Sequence, residues 1–373
     1  MKDAIIVNLV SDQTIPNVQF IKWFVKQNLG QIKVLLVTTK EMERKDKSNC
    51  IKNALSSLEN FLEWETLTTD GNSLPSISKD LEKYFLNQSY KKIIANITGG
   101  TKLMSLAAFD FFKNKTNVEI YYQPIGQELQ KLFPVQQNYS INELLSLEEY
   151  MNAHGIKFRY SNNCVRDWEY NKSVYENAVL PNRELIKGML ALQNDPHFKG
   201  IYKRKDFVDF TLIDGSKFEA INSENATKEN MCSLLQSFDF DIHKVEKKDI
   251  RYITGGWFEE YVYQKICNEY TNVDAKNVAL NVSIEKGDDK NELDVIYLDK
   301  ENKLHIVECK SFVEGQEGIK VLNDALYKAQ AIIKSKFGLF VKQHLFTKSV
   351  VEKQPQLNRA REFGIDLKDG NEI

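Results

Sequence analysis

Two rhythms of apolar residues divide this chain. In its first third, Ala4–Leu9 and Ile32–Thr38 are almost unbroken apolar runs, as expected of strands buried on both faces of a parallel sheet. Between them Val18–Leu29 carries apolar residues at helical spacing and stops at Gly30. The alternation continues: Met42–Phe61 reads as mostly helical, Trp64–Leu67 as strand and Ile77–Leu86 as helix. Lys92–Ile97 follows as strand, Leu103–Phe112 as helix and Val118–Tyr122 as strand. Strands and helices in turn, joined by short loops, predict a doubly wound, Rossmann-like α/β domain.

The middle of the chain is less regular. Gln123–Tyr139 contains a short hairpin, and Ser140–Tyr150 a connector helix whose Ser140 and Glu143 have capping-box spacing. Pro181–Gln193 and Lys228–Phe238 read as helices on either side of a hairpin in Phe198–Ile221 that turns at Asp214-Gly215. That trio fits a winged-helix-like insert or an elaboration of the C-terminal domain; the second is favoured. Beyond it, Gly255–Tyr270 bears a helical stripe of Phe258, Val262, Ile266 and Cys267. Asn291–Ser311 alternates as a β-hairpin turning at Asp299–Lys303, and Gly318–Phe337 reads as a further helix. The expected division is 1–140, 141–250 and 251–373.

Composition narrows the class without naming an activity. At 373 residues, 42% apolar and 27% charged, the chain is globular and long enough for two or three domains. A net charge of −2 leaves any nucleic-acid contact to local patches. Five scattered cysteines without a C-x-x-C pair exclude a zinc ribbon and suit a reducing compartment. No leader-like or membrane-length apolar run is present, so a cytoplasmic location without membrane contact is expected.

Chemistry gathers on the C-terminal hairpin. Asp294 lies on its first strand, with Glu308 and Lys310 at the end of its second, fourteen residues beyond Asp294 for the second acid. Strand periodicity sets Glu308 and Lys310 on one face and Val307 and Cys309 on the other. Two carboxylates on adjacent strands can share a hard divalent cation, and a neighbouring lysine can orient a water. The bland alternative is a solvated cross-strand ion pair. Glu259 and Glu260 open the preceding helix, and either could support the site. In the N-terminal domain the loops Ser11-Asp12-Gln13-Thr14 and Thr98-Gly99-Gly100-Thr101-Lys102 leave the carboxyl ends of strands, where such folds bind ligands. Backbone N–H groups at the glycines, a helix N-terminus and Lys102 make an anion-binding loop, or else a structural glycine turn. Neither the Walker nor the G-x-G-x-x-G spacing is met. Lys199, Tyr202, Lys203, Arg204, Lys205 and Phe207 form a basic-aromatic patch, suited to a single strand or to a solvated hairpin edge. The five histidines show no ligand spacing, and His305 reads as structural.

The D…E-x-K arrangement between two helices resembles the PD-(D/E)xK nucleases, although Leu293 replaces the usual proline. The leading domain with I-T-G-G-T-K after its fourth strand resembles the CRISPR-associated Rossmann fold (CARF) sensors. Together they look like the CRISPR accessory nucleases of the Card/Can type. The resemblance implies a restriction-endonuclease-like C-terminal domain with Asp294, Glu308, Lys310 and Glu259 as catalytic residues. Mn²⁺ or Mg²⁺ would then be held by Asp294, Glu308 and the Cys309 carbonyl. It also implies a homodimer that binds a cyclic oligoadenylate, cyclic tetra-adenylate by preference. The carried-over ligand residues are Ser11, Asp12, Gln13, Thr98, Gly99, Gly100, Thr101 and Lys102, with Thr38 and Thr39 as weaker candidates. The implied substrate is single-stranded DNA or RNA. The competing expectations are an ungated repair or restriction nuclease and a nucleotide-responsive regulator that only binds nucleic acid.

Overall fold

A computed structural model describes the chain except for residues 1, 28–31, 125–127, 142, 204, 217–226, 314, 333–336, 338–340, 352–353 and 371. The first sheet contains β1 (Lys2–Leu9), β2 (Ile32–Thr39), β3 (Leu62–Thr69), β4 (Tyr90–Asn96) and β5 (Val118–Tyr122). A hairpin of β6 (Leu129–Phe133) and β7 (Gln137–Tyr139) completes it. The order is β3-β2-β1-β4-β5-β6-β7, parallel from β3 to β5 and antiparallel beyond. Continuous apolar runs become central strands because both faces are covered: Ile5, Ile6, Val7 and Leu9 are all at most 1% exposed. Chain direction across the sheet reverses between β1 and β4, so the loops after these strands part there and leave a crevice. Buried amides close its floor. Asn96 donates to Asn8 Oδ1 at 2.8 Å, and Asn17 donates to the Leu9 carbonyl at 3.0 Å.

The second sheet is ordered β15-β14-β13-β12-β11-β8. Its strands are β8 (Lys157–Arg159), β11 (Val273–Lys286), β12 (Asp289–Asp299), β13 (Leu304–Lys310), β14 (Val341–Thr347) and β15 (Ile365–Lys368). Strands β8, β11, β12 and β13 pair antiparallel, while β13, β14 and β15 are parallel. One face packs on the helices Lys47–Ala54 and Leu147–Ala153 and on Ile15–Gln27. Ile296, Leu298, Leu304 and Ile306 therefore share one core with Ile21, Phe24, Ile51 and Met151. The other face carries Val295, Tyr297, Val307 and Phe346 and joins Trp257, Phe258 and the intermediate helices.

The intermediate region differs from the sequence expectation. Its short β9 (Phe207–Val208) pairs with β10 (Val245–Glu246), some forty residues on, and not with a strand just past Asp214-Gly215. The second arm of the expected hairpin falls on 217–221, outside the described residues. Lys199 and Tyr202 lie on the helix Pro196–Tyr202, so the basic patch is not a hairpin edge; Arg204 lies outside the described residues. The connector helix is Leu147–Ala153, and its capping box is Ser146 with Glu149, not Ser140 with Glu143. Glu143 instead pairs with Lys26, and the Ser140 hydroxyl donates to Glu128. The helical stretch read over Met42–Phe61 is broken at Asp46, which takes a left-handed conformation between the helices Lys40–Arg44 and Lys47–Ala54.

Candidate functional site

Antiparallel pairing of Val295 with Val307 carries the hairpin register on to set Asp294 across from Glu308. Asp294 Oδ2 accepts the Cys309 N–H at 2.7 Å, which fixes that carboxylate against the end of β13. Lys310 Nζ lies 2.8 Å from Glu308 Oε1, and Lys328 Nζ lies 3.2 Å from Glu308 Oε2. Lys328 comes from the helix Gly315–Ile332, so a second element reaches the Glu308 carboxylate. The Cys309 thiol is buried in the core with Val307 and Phe346, where burial first, then the charges of Asp294, Glu259 and Glu308, push it well above its ordinary value.

The electrostatics follow from this packing. Burial first, then the Glu308 and Glu259 carboxylates, push Asp294 up to about 7, against the pull of Lys310 and the Cys309 N–H. Burial alone would lower the Lys310 ammonium, but Glu308 and Asp294 outweigh it and hold it above its ordinary value. Glu259 belongs to this field through the helix Trp257–Glu269, and its Oε2 lies 3.3 Å from Arg251, which also donates to Asn281 Oδ1 at 2.5 Å. Glu260, its neighbour, turns away. It accepts from Val165 N at 2.8 Å and Arg166 N at 3.2 Å and is 6% exposed, so it organises the chain entering the intermediate region.

The donor set is hard: carboxylates and backbone carbonyls, with lysines as counter-charges. Among the described residues no three His, Cys, Asp or Glu side chains converge as a cage. Two carboxylates with water in the remaining positions is the usual donor count for Mg²⁺ or Mn²⁺, so the residues fit such an ion. A second buried group nearby is not a ligand set. Asp299 Oδ2 lies 3.0 Å from His305 Nε2, His305 Nδ1 lies 2.8 Å from His344 Nε2, and His344 Nδ1 lies 2.9 Å from Asp366. The ring nitrogens face each other too closely for a metal between them, and the row ties β13, β14 and β15 together. Histidines separated by 39 residues gave no sequence signal for this row.

At the crevice of the first sheet lies a cavity of about 630 Å³. Ser11, Asp12, Gly100 and Thr101 line it, together with Thr39, Lys40, Thr69, Asp70 and Gly71. Thr101 caps the helix Lys102–Lys113, accepting from Met104 N at 3.2 Å and donating to the Gly71 carbonyl at 2.6 Å. A Cβ on Gly99 would lie 2.1 Å from the Leu9 carbonyl, and Gly100 has φ +74°. Both glycines thus let the loop after β4 lie against the end of β1. Lys45 and Lys47 hold the Asp12 carboxylate below its ordinary value, outweighing the effect of its slight burial.

The remaining predicted ligand residues lie off this wall. Thr38 is 0% exposed, while Thr39, one residue on, faces the cavity. The Thr98 hydroxyl donates to Asn96 Oδ1 at 2.6 Å and accepts from Gln123 N at 2.9 Å, which fixes the turn. Lys102 is exposed at the first turn of its helix, and Gln13 receives the Ser11 hydroxyl on its carbonyl at 3.1 Å. Sequence reading missed the loop Asp70-Gly71-Asn72 after β3. Its turn composition was visible, but not its place against Thr39 and the Thr101 cap.

Comparisons with known proteins agree with this layout. Three family models match in succession: the Card1 CARF domain over residues 5–150, the Card1 hinge domain over 161–247, and the Card1-like endonuclease domain over 246–373. Among solved structures, Can2 from Sulfobacillus thermosulfidooxidans in complex with cyclic tetra-adenylate is 23% identical with a TM-score of 0.69, covering 98% of this chain and 95% of that one. Protein VC1899 from Vibrio cholerae is 17% identical with a TM-score of 0.71, covering 99% and 94%. A type III CRISPR defence DNA nuclease activated by cyclic oligoadenylate is 13% identical with a TM-score of 0.57, covering 95% of this chain and 48% of that one. No curated protein sequence matches significantly. At these identities the solved structures establish the shared fold.

Proposed function

We propose that this chain, which belongs to the Card1-type CARF endonucleases, is a metal-dependent nuclease of the PD-(D/E)xK kind gated by cyclic oligoadenylate. Its role is type III CRISPR antiviral defence, and its activator is cyclic tetra-adenylate, the ligand in the Can2 complex. It works as a cytoplasmic homodimer on single-stranded nucleic acid, with sensor, intermediate and nuclease segments meeting near residues 140 and 250. The observation that carries the reading is the meeting of Asp294, Glu308 and Lys310 at the end of β13, with Glu259 in the same field.

Asp294, Glu308 and the Cys309 carbonyl would hold Mg²⁺ or Mn²⁺, which when bound supplies a Lewis acid and an acidified water. Lys310 orients the attacking water from Glu308 and offsets charge at the phosphate. Glu259, held by Arg251, adds negative charge beside Asp294 that a bound divalent cation would offset. In the sensor, Ser11, Asp12, Gln13, Thr38 and the Thr98–Lys102 loop contribute to the activator site. The N-terminus of the helix Lys102–Lys113 favours a phosphate there, and two-fold pairing would set two copies of Lys102 about the ring. Ligand bound more tightly by one arrangement of the dimer shifts the population toward it.

The test is cleavage of labelled single-stranded DNA and RNA in Mn²⁺ with and without cyclic tetra-adenylate. Cutting only with the ligand is expected. Cutting without it would remove the gate and leave an ungated nuclease. No cutting with any ring size would leave a binding-only regulator.

A further inference from the structure

The intermediate region carries a groove that the proposed chemistry does not use. It has a volume of about 380 Å³ and is walled by Phe198, Tyr202 and Ile250, with Lys199, Lys203 and Lys247 around it. The three lysines are exposed, and none has an ion pair among the described residues. The neighbouring acids are already engaged. Glu246 pairs with Lys248, and Asp249 is 7% exposed and accepts the Glu246 N–H at 2.8 Å. Tyr202 is held in place, its hydroxyl donating to the Val245 carbonyl at 3.2 Å and its ring edge-on to Phe198 at 5.2 Å. The site therefore offers a fixed aromatic wall inside an uncompensated cationic rim.

The groove leads toward the catalytic acids. Lys247 and Arg251 are four residues apart on the helix Lys247–Arg251, on one face and ~6 Å apart along its axis. Arg251 reaches Glu259 at 3.3 Å. On the other wall the Thr254 hydroxyl donates to Gln193 Oε1 at 2.9 Å, which fixes the groove to the turn preceding the helix of Glu259. A cationic line thus runs from Lys199 and Lys203 through Lys247 to Arg251, at the edge of the carboxylate cluster.

We propose that this groove is a binding track for the single-stranded polynucleotide, outside the site of cleavage. Lys199, Lys203 and Lys247 pair with successive phosphates, and an unpaired base lies against Tyr202, which the buried Phe198 backs edge-on. Charge complementarity selects a polyanion, and the aromatic concavity selects an unpaired base, which a duplex keeps stacked inside. The inference rests on the nuclease reading above, so binding and cutting are measured separately.

Binding of a fluorescent 20-nucleotide single strand, as DNA and as RNA, is measured by anisotropy on the full chain in EDTA, with the matching duplex beside it. The triple variant Lys199→Glu/Lys203→Glu/Lys247→Glu is expected to lose at least tenfold in affinity for either strand. Its log–log salt slope should fall by about 2, from roughly 0.7 per phosphate contact on single strands. Tyr202→Ala, which removes the ring, should weaken single-strand binding at least about fivefold, and Tyr202→Phe, which keeps the ring but loses its anchor on Val245, should weaken it less. In Mn²⁺ the triple variant should raise KM for long strands and leave kcat unchanged. A parent-like affinity in the triple variant, or a duplex bound as tightly as the single strand, overturns the track. Loss of binding in a protein whose parent cuts nothing would overturn the nuclease reading and leave the track standing.

Discussion

Glu308 is the residue at which most of the C-terminal chemistry meets, since both Lys310 and Lys328 lie on its carboxylate. Replacing it with Ala should lower cleavage by about 10³-fold, while isothermal titration shows cyclic tetra-adenylate binding unchanged; residual cutting at the parent rate would sink the assignment. The adjacent acid carries the opposite lesson. Glu259 and Glu260 stand side by side in the first turn of one helix, and nothing local in the sequence separates them. Partners more than ninety residues earlier decide it, because Glu260 takes the Val165 and Arg166 N–H groups. Glu260→Ala should therefore destabilise the fold by about 1–3 kcal/mol, read from the denaturation midpoint, whereas Glu259→Gln should lower activity with little change in stability. The spacing of Asp294, Glu308 and Lys310 was legible because strand periodicity alone aligns the last two. Thr38 and Thr39 show the limit: period two separates them, but which one faces the crevice depends on how the sheet is covered.

Elements were legible where periodicity ran long. The five parallel strands of the first sheet and their helices stand close to their predicted places. The connector helix was found, but its start was misplaced because S-x-x-E occurs twice, at Ser140–Glu143 and Ser146–Glu149, and only the second closes a capping box. Strand β11 was missed although Val278, Leu280, Val282 and Ile284 alternate in it, and β8, three residues long, exists only by pairing with β11. The end of the connector helix has a pH consequence. His154 stacks on Tyr150 at 4.6 Å, with its ring nitrogens 3.0 and 3.1 Å from the Tyr150 and Phe337 carbonyls. Burial pushes it down to about 4, against the pull of those carbonyls. Between pH 6.5 and about 4 the unfolded chain binds a proton that the folded chain does not, so stability rises with pH across that window. It should fall by up to roughly 3 kcal/mol on acidification from pH 7 to 4. In His154→Gln, urea denaturation should show a shallower pH dependence; an identical slope would assign the loss to other groups.

At the scale of the whole molecule, the turn of the hairpin that carries Asp294 and Glu308 is fastened to the segment leaving the CARF domain. Asn302, left-handed at that turn, accepts from Leu145 N at 2.6 Å and donates to the Glu143 carbonyl at 2.8 Å. Lys22, on a helix of the CARF domain, donates to the Leu144 carbonyl at 2.9 Å, and the Thr14 hydroxyl, in the loop after β1, donates to the Ala153 carbonyl. Asn302→Ala should therefore lower ligand-stimulated cleavage more than ligand affinity, as a titration of rate against cyclic tetra-adenylate would reveal. Equal loss in both would mean the contact only stabilises the fold.

The core shared by Ile21, Phe24 and Met151 with Ile296, Leu304 and Ile306 also sets a timetable for biogenesis. During synthesis the sensor's apolar face emerges well over a hundred residues before the strands that cover it, an interval of about 10–30 s at ordinary elongation rates. Until then that face is open to chaperones and to other nascent chains. A fragment ending at Tyr139 should leave the ribosome in that state for good, and sedimentation of the expressed fragment should find it aggregated or chaperone-bound. A soluble monomer would mean that the sensor closes its own face.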